Sequence, residues 1–388
     1  MGEARLNWGS KLVTFFCVTA LFLCGVSEGG EPSWISLEAS SGVVIEQSNA
    51  DEVRPPASMI KIMMMLMVVE GLERGDWTLE EPITASRKAQ HMGGTQVYLE
   101  AGDVHSLGHL MKALAVSSAN DAAMAIAENL WGSEQAYSEA MNKRADELGM
   151  TNTQFYSVHG LPPDRGEKPD ETTARDMSIL ARECLDAERF PERVKLMVSW
   201  SSMRSYEFRP GEGLKYTTNK LMRRRKDIDG FKTGYIRASG FCITATRADH
   251  GVRIISVVMG HQNSNERFEL AERLLDEGFR KIDTKEIVAE GINKELTVAV
   301  ENAEMKSMAL TIDESISVTL LKEQFENVSV EYKHADKLTA PLRKGAKVGE
   351  VFVKLDDRVL HSSSILVSES VEKASLMFKV GEFVTSFF

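Results

Sequence analysis

The chain has 388 residues, 43% hydrophobic and 27% charged, with a formal net charge of -11. That length allows two or three domains with sizeable cores. The acidic balance argues against nucleic acid as a partner, because a phosphate-binding surface needs a basic excess. The run Arg223-Arg224-Arg225-Lys226 reads as a solvated loop.

At the start, Arg5 and Lys11 precede an uncharged run from Leu12 to Val26, and small and polar residues follow through Gly30. This is the pattern of a secretory signal over 1–30, with a cleavage site at Gly25-Val26-Ser27. A retained anchor is the alternative, although about fifteen apolar residues fall short of the roughly 20 that a bilayer span needs. Lipid attachment at Cys24 is the weaker alternative, since Leu23 before it is bulky. Export and cleavage leave Cys184 and Cys242, neither in a motif, so two buried free thiols are expected.

From Trp34 to Val44 the residues alternate around Ser40-Ser41-Gly42, which predicts a β-hairpin. After Pro55-Pro56-Ala57, Ser58 opens an apolar run that continues through Val69. A run hydrophobic all round reads as a buried helix, with Ser58 capping or beginning it. The only charge in that run is Lys61, at the i+3 spacing that shares a face with Ser58. Desolvation and the helix dipole both lower a lysine pKa there, so a neutral amine beside the Ser58 hydroxyl makes an activated nucleophile.

Helical periodicity recurs over Leu107 to Val116, Asp121 to Leu130, Ser133 to Leu148 and Thr173 to Leu185. Strand patterns return after Arg204, over Ile228 to Ile236, Gly240 to Arg247 and Gly251 to Met259, and Phe268 to Phe279 is again helical. The sheet therefore takes strands from both ends of this region around a helical insertion, giving a catalytic unit over 31–282. Beyond Asp283, short alternating runs at Glu295 to Val300, Met308 to Ile312, Ile316 to Leu320, Val328 to Tyr332, Val348 to Lys354 and Ser364 to Val367 predict an all-β domain over 283–370. With no convergent catalytic set, it reads as a spacer or partner-binding module. No zinc pattern is present among the scattered histidines, and neither a metal nor another cofactor is expected.

Ser58-Met59-Ile60-Lys61 is an S-x-x-K motif, and Ser118-Ala119-Asn120 and Lys232-Thr233-Gly234 follow in order. With these three motifs the chain, from about Trp34 onward, resembles the low-molecular-weight penicillin-binding proteins that are D-alanyl-D-alanine carboxypeptidases. The resemblance implies an α+β fold of the penicillin-binding-protein and β-lactamase type, an antiparallel sheet with an inserted helical subdomain, followed by a small all-β domain. It implies Ser58 as nucleophile, Lys61 as general base, Ser118 as proton relay, and Asn120 orienting Lys61 and holding the substrate amide. Lys232 and Thr233 then edge the cleft, Gly234 leaves room for a peptide backbone, and the Ser58 and Tyr235 amides form the oxyanion hole.

Arg267 matches the position that grips the substrate carboxylate with Thr233, a task suited to a bidentate guanidinium. His159 and Asp176 match outer segments near the cleft. Tyr235 departs from relatives that carry histidine after the lysine-threonine-glycine motif, which bears on rate or pH profile. The implied substrate is the peptidoglycan pentapeptide, with β-lactam antibiotics as covalent inhibitors. A β-lactamase is the alternative enzyme, but Asp164, Glu167, Asp170 and Glu171 lack an asparagine four residues on. A penicillin-recognising protein without turnover is the third reading.

The tail, 371–388, remains. As a helix it gathers Leu376, Met377, Val380, Phe383, Val384, Phe387 and Phe388 on one arc, an amphipathic segment that would lie on a membrane surface. A final strand is the competing reading, since Ala374, Leu376, Phe378 and Val380 also alternate. Relatives end in such an anchor, which supports the helix.

Overall fold

A computed structural model describes residues 31–375 apart from Arg165. The signal reading over 1–30 and the amphipathic arc from Leu376 onward lie outside the described residues. β1 (Ser33–Glu38) and β2 (Val44–Ser48) form the N-terminal hairpin. The Glu38 carboxylate ties its turn by accepting from the Ser40 and Ser41 amides. A 3-10 turn, Ala57–Ile60, then enters α1 (Lys61–Arg74). Ser58 thus lies second in the helical stretch, after Ala57, and does not cap it: Ile60 is the N-cap residue of α1, and its side chain makes no capping hydrogen bond.

The insertion begins with β3 (Pro82–Thr84), α2 (Arg87–Gln90) and β4 (Val104–Ser106). Next come α3 (Leu107–Val116), α4 (Asn120–Trp131), α5 (Glu134–Leu148), α6 (Ala174–Leu185) and α7 (Pro191–Ser201). Ser106, Ser133 and Thr173 cap α3, α5 and α6, each accepting from the amide three residues on, which is why those helices start there. A small hairpin, β5 (Ser205–Glu207) and β6 (Leu214–Tyr216), and α8 (Leu221–Arg224) lead back to the sheet. β7 (Ile228–Ile236), β8 (Gly240–Asp249) and β9 (Val252–His261) complete it, and α9 (Ser264–Lys281) covers it.

The sheet order is β2-β1-β9-β8-β7, with every pair antiparallel, so strands from both ends of the region join and β7 is an edge. Alternation on β9 divides the cores: Ile254 and Val258 face α9, while Ile255, Val257 and Met259 join the core built on α1. The basic run is not wholly solvated. Arg225 bonds Asp227 and Asp276, pinning α8 to β7 and α9.

The C-terminal part is all β: β10 (Ile282–Val288), β11 (Gly291–Glu301), β12 (Ser307–Ile312), β13 (Ile316–Leu321), β14 (Val328–His334), β15 (Lys337–Thr339), β16 (Lys347–Leu355) and β17 (Arg358–Val367). β10 pairs with β13, and the others form one sheet ordered β14-β16-β17-β12-β11-β15. Sequence periodicity missed β10, whose centre is exposed, and β15, which is only 3 residues long. Val371, read from sequence as part of the tail, instead bridges Leu342 and is buried in this domain's core.

Candidate active site

The first buried residue of α1 is Lys61, at 0% exposure among methionines and isoleucines. Its Nζ has three polar neighbours: Ser58 Oγ at 3.0 Å, Asn120 Oδ1 at 2.7 Å and the His159 carbonyl at 2.9 Å. A neutral amine has two hydrogens and one lone pair. Asn120 Oδ1 and the His159 carbonyl can only accept, so they take both hydrogens, and the lone pair is left for the Ser58 hydroxyl. Burial, and next the charge of Lys232, hold the Lys61 pKa well below the ordinary 10.5. Geometry and electrostatics therefore agree on an amine that can take the Ser58 proton.

Asn120 opens α4 and is itself fixed, donating through Nδ2 to the Gly93 carbonyl at 2.7 Å. Two residues earlier, Ser118 sits at φ 61° and Ala57, before the nucleophile, at φ 48°. Non-glycine residues in that region are strained and are held there by their surroundings. For Ser118 those surroundings include Thr95 Oγ1, which donates to its carbonyl, and Lys232 Nζ, which reaches its Oγ at 2.8 Å. Lys232 is also buried, and burial followed by the Arg267 charge lowers its pKa to about 7.

β7 carries the third motif up to the nucleophile. A Cβ on Gly234 would stand 2.7 Å from the Pro56 carbonyl oxygen and 3.2 Å from the Ser58 amide nitrogen, so only glycine lets strand and turn approach this closely. Gly160 does the same on the opposite side: at φ 77°, an added Cβ would lie 2.1 Å from the Ala57 oxygen. Tyr235 is 55% exposed and stacks on Phe241 at 4.3 Å between centroids.

Arg267, in the first turn of α9, is only 5% exposed. It donates to the carbonyls of Gly234 at 3.3 Å and Cys242 at 2.9 Å, and stacks on Phe268. A further bond runs from Arg267 Nη2 to Ser264 Oγ at 3.4 Å, while Thr233 Oγ1 donates to Thr218 Oγ1 at 2.7 Å. Thr218 was missed by the sequence reading, having no motif spacing to mark it. Asp170 was weighed only as a β-lactamase base. It is 5% exposed and accepts from the Tyr156 and Ser157 amides, fixing the loop that delivers the His159 carbonyl.

His159 meets the centre through its backbone. Its ring is held neutral, with the pKa lowered to about 3 by burial and then by Lys61 and Lys88. Asp176, in the first turn of α6, accepts from the Asn152 amide and Thr153 Oγ1, and among the described residues no hydrogen bond links it to the three motifs. Cys184 and Cys242 are buried and free.

The family model described as D-alanyl-D-alanine carboxypeptidase matches residues 29–263, and that of the penicillin-binding protein 5 C-terminal domain matches 283–373. The chain belongs to the D-alanyl-D-alanine carboxypeptidase family. It is 32% identical to such a carboxypeptidase of Bacillus subtilis over 89% of this chain and 87% of that one. With one from Escherichia coli it shares 31% identity over 91% and 87% respectively. Penicillin-binding protein 5 of Haemophilus influenzae superposes with a TM-score of 0.67 at 26% identity, covering 88% of this chain and 97% of that one. The ampicillin-bound penicillin-binding protein D2 of Listeria monocytogenes matches at TM-score 0.56 and 27% identity, covering 64% and 96%. The fold is the penicillin-binding-protein fold with an all-β C-terminal domain.

The lowered pKa of this carboxypeptidase's Lys61 generates a testable pH dependence. Because burial, and next the Lys232 charge, hold its pKa well below 10.5, the base form is reached at a lower pH than in an ordinary lysine, and the rate of penicillin acylation should rise along a limb lying well below pH 10.5. Lys61→Arg keeps the charge but cannot deprotonate, and should lower the acylation rate by at least about a thousandfold, within the range of a lost general base. An acylation limb at pH 10 or above in stopped-flow or labelling experiments contradicts the assignment.

Proposed function

We propose that this chain removes the terminal D-alanine from peptidoglycan stem pentapeptides through an acyl-enzyme on Ser58. The observation that carries the reading is the placement of Ser58 Oγ 3.0 Å from a buried amine whose other hydrogen bonds are satisfied by acceptors. Ser58 gives its proton to Lys61 as Oγ adds to the carbonyl of the penultimate D-alanine. The Ser58 and Tyr235 amides receive the oxyanion. Asn120 has one amide hydrogen bound to Gly93 and offers the other to the substrate.

The Ser118 hydroxyl, bonded to Lys232, passes its proton to the leaving nitrogen and is reprotonated with the one Lys61 took from Ser58, so the C–N bond breaks with D-alanine departing as the amine and Lys61 is neutral again. Thr233 and Arg267 hold its carboxylate, and Gly234 admits the peptide beside β7. Water then attacks the ester, Lys61 again taking the proton and returning it to Ser58. His159 supports Lys61 through its main chain, and Asp176 supports the segment from Asn152 that precedes it. Penicillins enter as covalent inhibitors, because their amide imitates the D-Ala-D-Ala bond. The activity serves cell-wall remodelling and shape outside the cytoplasmic membrane, with the signal over 1–30 directing export.

Labelled penicillin should form a covalent adduct with the purified protein, and Ser58→Ala should abolish it. Equal labelling of the two proteins removes Ser58 as the nucleophile. Slow release of that adduct is expected, and rapid turnover favours a β-lactamase. An adduct without cleavage of D-Ala-D-Ala peptides favours the silent penicillin-recognising protein.

Arg267→Ala should lower kcat/KM on a D-Ala-D-Ala peptide about a hundredfold, roughly 3 kcal/mol for a lost charge-assisted hydrogen bond. The same substitution should matter little on a peptide amidated at its C-terminus. Equal losses on both peptides assign Arg267 to holding the Gly234 and Cys242 carbonyls alone.

Among the described residues no helix is long and apolar enough to cross a membrane. We place attachment in the amphipathic tail, where Lys379 and Glu382 cancel and buried apolar area supplies the affinity. Truncation before Leu376 should leave an active protein in the supernatant, while the full mature chain sediments with vesicles. A truncated protein that no longer binds penicillin shows the tail to be part of a core.

A further inference from the structure

A cavity of about 740 Å3 lies against the wall of the site formed by Gly93 and His159. Both residues already serve the centre, since their carbonyls accept from Asn120 and Lys61. The cavity therefore adjoins the Asn120 side of the nucleophile, where the acyl half of a peptide is held. Arg267 and Thr233, on the β7 side, belong to the leaving half.

The cavity wall holds an open acceptor. Glu134, the first residue of α5, binds Lys88 through Oε2 at 2.6 Å, while its Oε1 faces His159 Nε2 at 3.9 Å, beyond hydrogen-bond length. The Leu161 amide donates to His159 Nδ1 at 3.0 Å, which puts the proton of the neutral ring on Nε2. That neutral ring, kept so by burial, brings no positive charge to Glu134. Asp164, Glu167 and Asp170 line the same cavity, opposed by the ammonium groups of Lys88 and Lys168. Carboxyl groups thus outnumber lysines, and a second cation is accommodated more readily than a second anion.

We propose that this cavity binds the amine-bearing side chain of the diamino residue preceding the D-alanyl pair of a peptidoglycan stem, with Glu134 Oε1 accepting from its ammonium. The inference rests on the carboxypeptidase reading above and adds the feature of the substrate that the acyl side recognises. The diamino residue lies one Cα step, about 3.8 Å, from the D-alanine that Ser58 attacks, and His159 links the two places, its carbonyl accepting from Lys61 and its Nε2 lying 3.9 Å from Glu134 Oε1.

The test measures kcat/KM on two peptides ending in D-Ala-D-Ala that differ only in the lysine before the pair, free in one and Nε-acetylated in the other. The wild-type protein should favour the free amine about tenfold, the scale of one hydrogen bond to a charged group. Glu134→Gln should bring the ratio close to one. Lys88→Gln, which removes the competing cation, should raise it. Penicillin labelling of each variant reports its folding, and if Glu134→Gln fails to fold, Lys88→Gln carries the test. A wild-type ratio near one, a ratio that survives Glu134→Gln, or one that does not rise in Lys88→Gln overturns the cavity assignment while leaving carboxypeptidase activity in place. Cleavage of neither peptide by the wild type is a different result: it overturns the carboxypeptidase reading, and this assignment with it.

Discussion

The burial of one amine, Lys61 Nζ, sets the terms for the rest of the molecule. An ammonium taken out of water costs several kcal/mol, and even a neutral amine needs all its polar valences matched. The three matching groups come from Ser58 on its own turn, Asn120 at the start of α4 and His159 in the loop before α6. Neighbouring sequence cannot supply the last two. The helical insertion supplies them, and α1, buried from Lys61 through Val69, is enclosed by α3, α5, α6 and α7. Without that enclosure the lysine would regain water and its ordinary pKa.

Opposite the insertion, the constraint is proximity. β7 is an edge strand, so among the described residues its outer main-chain groups have no strand partner, and Gly234 lets its backbone press on the Pro56–Ser58 turn. Ala57 and Ser118 accept positive φ on either side of the nucleophile, conformations costing of order 1 kcal/mol or more each. Strain and crowding meet at one place because three chain segments converge on a single hydroxyl. Arg267 stabilises that convergence from behind, its guanidinium bonded to Gly234 and Cys242.

How much of this was legible depends on whether the information is local. The α3 bounds and those of β7 coincide with the periodic runs Leu107 to Val116 and Ile228 to Ile236, because amphipathic period and side-chain alternation are properties of adjacent residues. The S-x-x-K turn was legible because its serine and lysine lie within one turn. Thr218 was not, since its importance lies in touching Thr233, 15 residues away, and nothing at that spacing marks a pair. Asp170 looked like one acid among four; only its burial and its two amide donors distinguish it. The Arg225 ion pairs were hidden for the same reason, Asp276 being 51 residues on.

α9 joins these two levels of organisation. Arg267 in its first turn secures the strand beside the nucleophile, and its 18 residues span about 27 Å. At its far end Lys281 passes into β10 at Ile282 with no intervening linker, and Ile282 and Leu321 pack into the core beneath α9. Val43, from the turn of the first hairpin, is buried reciprocally in the C-terminal core. A flexible spacer would show a polar linker and few contacts across the boundary; here the boundary is a continuous chain with apolar residues exchanged in both directions. The β-domain therefore follows the catalytic part without a polar linker, and the helix that holds Arg267 at the cleft runs directly into its first strand.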